Sequence, residues 1–300
     1  VAMDKEARHS LGVSAWIVAV LAGMVIGVVM VLAPPAWVVP DRSADAPQRL
    51  RVAYSIELPY AGVGLEGRVF GESPDVLRAV LTRAGPPEPE WVHLEFGQLI
   101  HELRMGRIDL IAAGLFAAPE RAMLITFSRP TARVQMGLLV TAFNPMGLHR
   151  LEDLRDRPQA WLAVIRGSVE ASLAGAAGID DSRLLKVPDV QSGIAAVRSN
   201  RAAGFALSAP SLRWAMRVSG APGGELADPF QAPAMAGAAG LPAYAMRLGD
   251  ERLPRLDAAL AGFLGSPAHQ RLAQAYGFQP DELPIAPARP PAPTAQEGRP

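Results

Sequence analysis

From residue 50 onward the chain alternates short apolar runs with segments of helical period, and this alternation limits its fold more than any other feature. LRVAY (50–54) reads as a strand. SPDVLRAVLTRAG (73–85) reads as a helix, with Ser73 as cap, Pro74 at its first position and Gly85 past its end. WVHLEF (91–96) is strand-like, GQLIHELRMG (97–106) a helix and IDLIAAG (108–114) a buried strand. The second half repeats the order. WLAVIRG (161–167) is a strand leading to Ser168 and a helix, and RLLKVP (183–188) is a strand. DVQSGIAAVRSN (189–200) is a helix that Asp189 caps, AGFALS (203–208) a strand and PSLRWAM (210–216) a helix. GELADPFQAPAMAGAAG (224–240) reads as loop and PAYAMR (242–247) as a strand. Two helices follow, around 250–264 and 267–276, the last running from Ser266-Pro267 to Gly277. Such repetition belongs to sheets with crossover helices. Two runs of it, joined near 141–146, predict two α/β lobes with a cleft at their strand ends.

The segment ahead of the lobes has a different character. Residues 11–33, LGVSAWIVAVLAGMVIGVVMVLA, contain no charge. About 22 residues of helix reach roughly 33 Å, enough for a bilayer core. The run exceeds the apolar core of a cleaved signal peptide, and the candidate site Ala44-Asp45-Ala46 is followed by Pro47. A retained anchor is therefore expected, with residues 1–10 cytoplasmic and 34–49 a Pro-rich linker. Ala15, Ala19, Gly23 and Gly27 recur every four residues, a stripe of small residues on which a partner membrane helix packs closely. Residues 284–300 are Pro-rich and read as an extended tail.

Composition narrows the chemistry. Lys+Arg and Asp+Glu both number 29, and this balance argues against nucleic acid as a partner. The absence of cysteine excludes disulfides, thiolate metal sites and a thiol nucleophile. The five histidines show no metal spacing, and no Ser-His-Asp set can be assembled. No cofactor and no catalysis are expected.

Arg121 carries the functional expectation. It follows the C-terminal end of strand 108–114, where ligands bind in open α/β sheets. A guanidinium grips a carboxylate with two parallel bonds. Gly114 admits backbone to the same place, and Phe116 offers a ring face. Phe96 falls near the same mouth but reads first as core.

Three stretches taken together are similar to family 3 solute-binding proteins of ABC importers, and most to their ectoine/hydroxyectoine-binding group. They are RVAYSIELPYAGVGLEGRVFGESPDVLRAVL, EFGQLIHELRMGRIDLIAAGLFAAPERAMLITFSRP and LAQAYGFQPDELP. The likeness covers about residues 50–283 and is strongest over 50–141. It implies a two-lobed periplasmic-binding-protein-like (type II) fold behind one transmembrane helix. Residues 50–141 with 238–283 would form lobe 1, and 142–237 lobe 2. It also implies that Arg121 grips a ligand carboxylate and that Ser168 bonds it from the second lobe. Glu57 would face a cationic group, with Tyr60 and Phe116 stacking on it. Two positions depart from the family pattern. Ala118 stands where a Thr is usual, and Ser208 where many members place an Asp for the ligand's ammonium.

The expected function is therefore that of an inner-membrane, single-pass protein with its globular part in the periplasm. It would capture a small zwitterion, ectoine-like or amino-acid-like, for ABC uptake. The alternative is a structural accessory subunit of a larger integral membrane complex, respiratory or photosynthetic, using the same fold with a degenerate ligand site. A dehydratase on this fold lacks an acid/base pair beyond Glu57, and a sensor lacks a signalling domain.

Overall fold

The computed structural model describes residues 49–82, 88–219, 224–233 and 240–284. The expected membrane helix at 11–33 with its small-residue stripe, the linker up to residue 48 and the tail from 285 lie outside these residues. Among the described residues, no helix is long and apolar enough to cross a membrane.

Two five-stranded sheets organise the chain. The first contains β1 (Arg51–Tyr54), β4 (Glu90–His93), β5 (Leu110–Ile111), β6 (Thr126–Phe127) and β12 (Ala245–Met246), in the order β4-β1-β5-β12-β6. Here β1 runs parallel to β4 and β5, and β12 is antiparallel to β5 and β6. Side chains on a strand alternate between faces, so each sheet needs a cover on both sides. Val52, Leu110 and Met246 pack with Val76, Leu77 and Val80 of α1 (Glu72–Thr82) and with Leu256 and Leu260 of α8 (Leu253–Ala261). Their neighbours Ala53, Ile111 and Ala245 pack on the other face with Leu99 and Leu103 of α2 (Leu99–Arg104). A two-stranded hairpin, β2 (Gly62–Val63) with β3 (Val69–Phe70), stands apart from this sheet.

The second sheet has the order β11-β7-β10-β8-β9. Its strands are β7 (Met136–Thr141), β8 (Leu162–Ile165), β9 (Leu184–Val187), β10 (Gly204–Ser208) and β11 (Gly224–Leu226). The strand β8 is parallel to β9 and β10, and β7 is antiparallel to β10 and β11. Leu138, Val140, Leu162 and Val164 face Leu151 and Leu154 of α4 (Leu151–Arg155) and Ala174 of α5 (Val169–Ala176). Leu139, Ala163, Ile165 and Phe205 face Ile194 and Val197 of α6 (Val190–Arg198) and Leu212 of α7 (Ala209–Ser219). This is the two-lobed α/β arrangement expected.

The caps follow local chemistry. The Asp189 carboxylate accepts from Ser192 N–H at 2.8 Å, and Ser266 Oγ from His269 N–H at 3.2 Å at the start of α9 (Pro267–Ala275). Ser73 does not cap α1. The helix begins at Glu72, and the Ser73 hydroxyl donates to Glu72 Oε2 at 2.9 Å.

The chain crosses between sheets twice. The first crossing lies between β6 and β7, at 128–135, because strand 136–141 pairs in the second sheet rather than the first. The connection expected at 141–146 is instead a turn that follows β7. The second crossing lies between β11 and β12, and the two run side by side. Thr131 N–H donates to Pro242 O at 2.8 Å, and Val134 N–H to Gly240 O at 2.8 Å.

Candidate functional site

The C-terminal ends of β1, β5, β8 and β10 turn toward one another. From the first lobe, β1 delivers Glu57 and Tyr60, and β5 delivers Gly114, Phe116 and Arg121, the last on the short helix α3 (Pro119–Ala122). From the second lobe, β8 delivers Gly167, Ser168 and Glu170, while β10 ends at Ser208 and leads to Ser211 on α7. A cavity of about 20 Å³, space for roughly one water, is lined by Glu57, Phe96, Gly114, Phe116, Arg121, Ser168, Val169, Glu170 and Leu207.

Arg121 is 6% exposed. Its Nη1 donates to Phe116 O at 2.9 Å, and its Nη2 crosses to the second lobe and donates to Gly167 O at 2.9 Å. The guanidinium carbon stands 5.7 Å from the Phe96 ring centroid, within cation–π range. Phe96, expected in the core, thus also lines the cavity. Among the described residues, no carboxylate comes within salt-bridge distance of Arg121. Burial lowers its proton affinity, against the pull of Glu170, Glu120 and Glu57.

A second bond joins the lobes at Glu57. Ser211 Oγ donates to Glu57 Oε1 at 2.8 Å, and Ser208 Oγ donates to Ser211 Oγ at 2.9 Å. Burial first, then the like charge of Glu170, pushes the Glu57 carboxyl up to about 8, against the Ser211 bond and Arg121. Burial raises Glu170 as well, opposed by its own backbone N–H, the Ser168 hydroxyl and Arg121.

Two buried hydroxyls beside this cluster lack a well-formed hydrogen bond. Ser168 Oγ, at the start of α5, makes no capping bond. The Tyr60 hydroxyl lies near Ser208 without bonding geometry, its residue 1% exposed. Buried polar groups are ordinarily paired; Glu170 stands close to Ser168 and Ser208 close to Tyr60, in neither case with bonding geometry. Tyr60 does not itself line the cavity. Its ring packs edge-on to Phe278, centroids 5.6 Å apart, and covers Gly114. A Cβ at Gly114, where φ is +63°, would sit 2.3 Å from that ring, so glycine is required here by Tyr60.

The structure thus gathers Arg121, Ser168, Glu57, Phe116 and Gly114 around one cavity, with Tyr60 beneath it and Ser208 linked to Glu57 through Ser211. Sequence reasoning missed Glu170 and Ser211. Each reads as an ordinary first-turn helix residue, and only the meeting of two lobes buries it. Residues flanking the Glu57–Ser211 bond line a second, larger cavity of about 490 Å³, including Ile56, Leu58, Trp214 and Val218.

Three further contacts bridge the lobes. Arg166 Nη1 meets Glu95 Oε2 at 3.2 Å, and Arg213 Nη2 meets both Glu282 oxygens at 2.7 and 2.8 Å. Gly97 lies against the Arg166–Gly167 backbone, where a Cβ on Gly97 would be 3.2 Å from Arg166 O.

Comparison with known proteins settles the family. Residues 50–279 match the model of bacterial extracellular solute-binding proteins, family 3. The chain belongs to this family. A probable amino-acid ABC transporter periplasmic-binding protein of Sinorhizobium fredii is 29% identical over 244 residues, 79% of this chain and 80% of the relative. The crystal structure of EhuB in complex with hydroxyectoine superposes with a TM-score of 0.67 at 32% identity, over 77% of this chain and 88% of that one. An ancestral arginine-binding protein bound to arginine shares the fold, with a TM-score of 0.68 at 19% identity over 78% of this chain and all of that one. The described part of this family 3 protein is an extracytoplasmic-type solute-binding domain. Among its described residues no His/Cys/Asp/Glu group has the makings of a metal site.

Proposed function

We propose that this chain captures a small zwitterionic solute, ectoine-like or amino-acid-like, between its lobes and presents it to an ABC permease. It would do so from the periplasmic face of the inner membrane, tethered by residues 11–33. The observation that carries this reading is a buried guanidinium, Arg121, sharing one cavity with an unbonded hydroxyl of the opposite lobe, Ser168. An anionic group between them would take the free donors of both, as charge-assisted bonds to Arg are strong and directional. Glu57 stands at the same cavity to receive the cationic end. The structure of EhuB with hydroxyectoine and the amino-acid transporter relative support the solute class.

Thermal unfolding of the purified full chain with hydroxyectoine, ectoine, glycine betaine and amino acids tests this. At a hundredfold excess over Kd a true ligand stabilises by about 2.7 kcal/mol, or roughly 5–10 °C for a fold this size. Arg121→Lys keeps the charge but removes the fork, and should abolish most of the shift. No shift with any zwitterion would overturn the proposal.

The direct bonds between lobes and the cavity of about 20 Å³ favour one second reading, the accessory subunit of an integral membrane complex. Purification in mild detergent separates the two. Stoichiometric recovery with membrane subunits supports the second, and a free monomer supports capture.

A further inference from the structure

We infer that Glu170 is a specificity-determining residue, and that the inter-lobe site selects small organic solutes of net charge +1 over neutral zwitterions and anions. The inference rests on the capture reading above and adds the charge of the solute. Three ionisable groups line the cavity, Glu57, Arg121 and Glu170. With every group ionised they would sum to −1, and a proton held by the carboxyl pair brings the empty site to zero. All three are buried, Glu170 to 3% exposure, so solvent does little to screen the imbalance. Arg121 has already given two N–H groups to the carbonyls of Phe116 and Gly167. Its charge is shared between two carboxylates in the same small space. A solute bringing one anionic group to Arg121 and two cationic centres to Glu57 and Glu170 closes the count. A neutral zwitterion leaves one carboxyl holding its proton and making no ion pair with the solute, so it forgoes one of the charge contacts that a net +1 solute makes.

The groups facing Glu170 are few. Arg121 comes from α3, where Glu120 acts on Arg121 and not on Glu170, Glu57 comes from the turn after β1, and Ser168 is the cap position just ahead of Glu170's helix. Without a cation the pair of carboxyls relieves its repulsion by holding a proton, consistent with the raised Glu57. An incoming cation displaces that proton, so binding at pH 7 releases protons and strengthens as pH rises toward 8.

Isothermal titration of the full chain with L-arginine, L-ornithine, ectoine, L-glutamine and L-aspartate tests the charge ranking. Runs in phosphate and in Tris read the protons released. The net +1 solutes should bind at least about tenfold tighter than the neutral ones, the ratio expected for one additional, partly relaxed ion pair less the proton it displaces. L-Aspartate should not bind. Glu170→Gln should shift the preference toward neutral zwitterions by at least about the same factor. A neutral zwitterion binding tightest to the wild type overturns the inference and leaves capture standing. So does a folded Glu170→Gln protein with an unchanged ranking. Failure of every solute to bind overturns capture itself. The wild-type ranking decides the matter even if the variant does not fold.

Discussion

Burial changes what individual side chains do with protons. Burial pushes the carboxyl of Glu57 up to about 8 and that of Glu72 up to about 7, the latter against bonds from the Ser73 and Thr131 hydroxyls. Each keeps a proton in the folded chain that the unfolded chain gives up above about 4.5. Their contributions are therefore full in acid and decline as pH rises, for Glu72 until about 7 and for Glu57 until about 8. His269 has the opposite sign. Burial holds it neutral down to about 4, so its contribution is lost as pH falls from 6.5 to 4. Above pH 6.5 only the carboxyls act. Urea unfolding should show stability falling between pH 6.5 and 8 by on the order of 1 kcal/mol per pH unit. Glu57→Gln should flatten the upper part of that decline. A flat wild-type profile would contradict the burial argument. Arg121 was legible in the sequence because it follows a strand end with a glycine and an aromatic beside it. Glu170 and Glu72 were not, because an acidic residue in the first turn of a helix normally faces water and complements the dipole.

At the level of elements, cap and breaker residues carried most of the legible information. Asp189 and Ser266 start their helices as read, and Gly277 ends the last with φ +83°. The hairpin β2–β3 was invisible because strands of two residues have no period to detect. The strand β11 was hidden in a Gly-, Ala- and Pro-rich stretch whose composition reads as loop. The place of β7 was also out of reach. An apolar run says that a strand is buried, and not which sheet it joins. The packing of α6 on β10 yields a sharp test. Gly193 faces the Phe205 ring so closely that an added Cβ would lie 2.5 Å from it. Gly193→Ala raises helix propensity, yet it should destabilise by about 1–3 kcal/mol through overpacking. Chemical denaturation checks it, and a stabilised variant would show that the two elements part more easily than their packing suggests.

For the whole molecule, closure depends on backbone meeting backbone. Gly97 of the first lobe abuts Arg166 and Gly167 of the second, between the Glu95–Arg166 pair and Arg121. Gly97→Val should hold the lobes apart. Solution X-ray scattering should then give a larger radius of gyration with little loss of unfolding free energy, since each sheet keeps its own two-sided core. A wild-type radius would mean that the lobes do not meet at this point.

The order of strands also has a consequence for synthesis. The strand β12 lies between β5 and β6, inside the first sheet, although it comes after all of the second sheet in the chain. A ribosome therefore releases every strand of the second sheet by residue 226, while the first still waits for 245–246 and for α8 to cover its face. The half that emerges first is the last to be completed, and until then β5 and β6 are nascent edges with no neighbour between them.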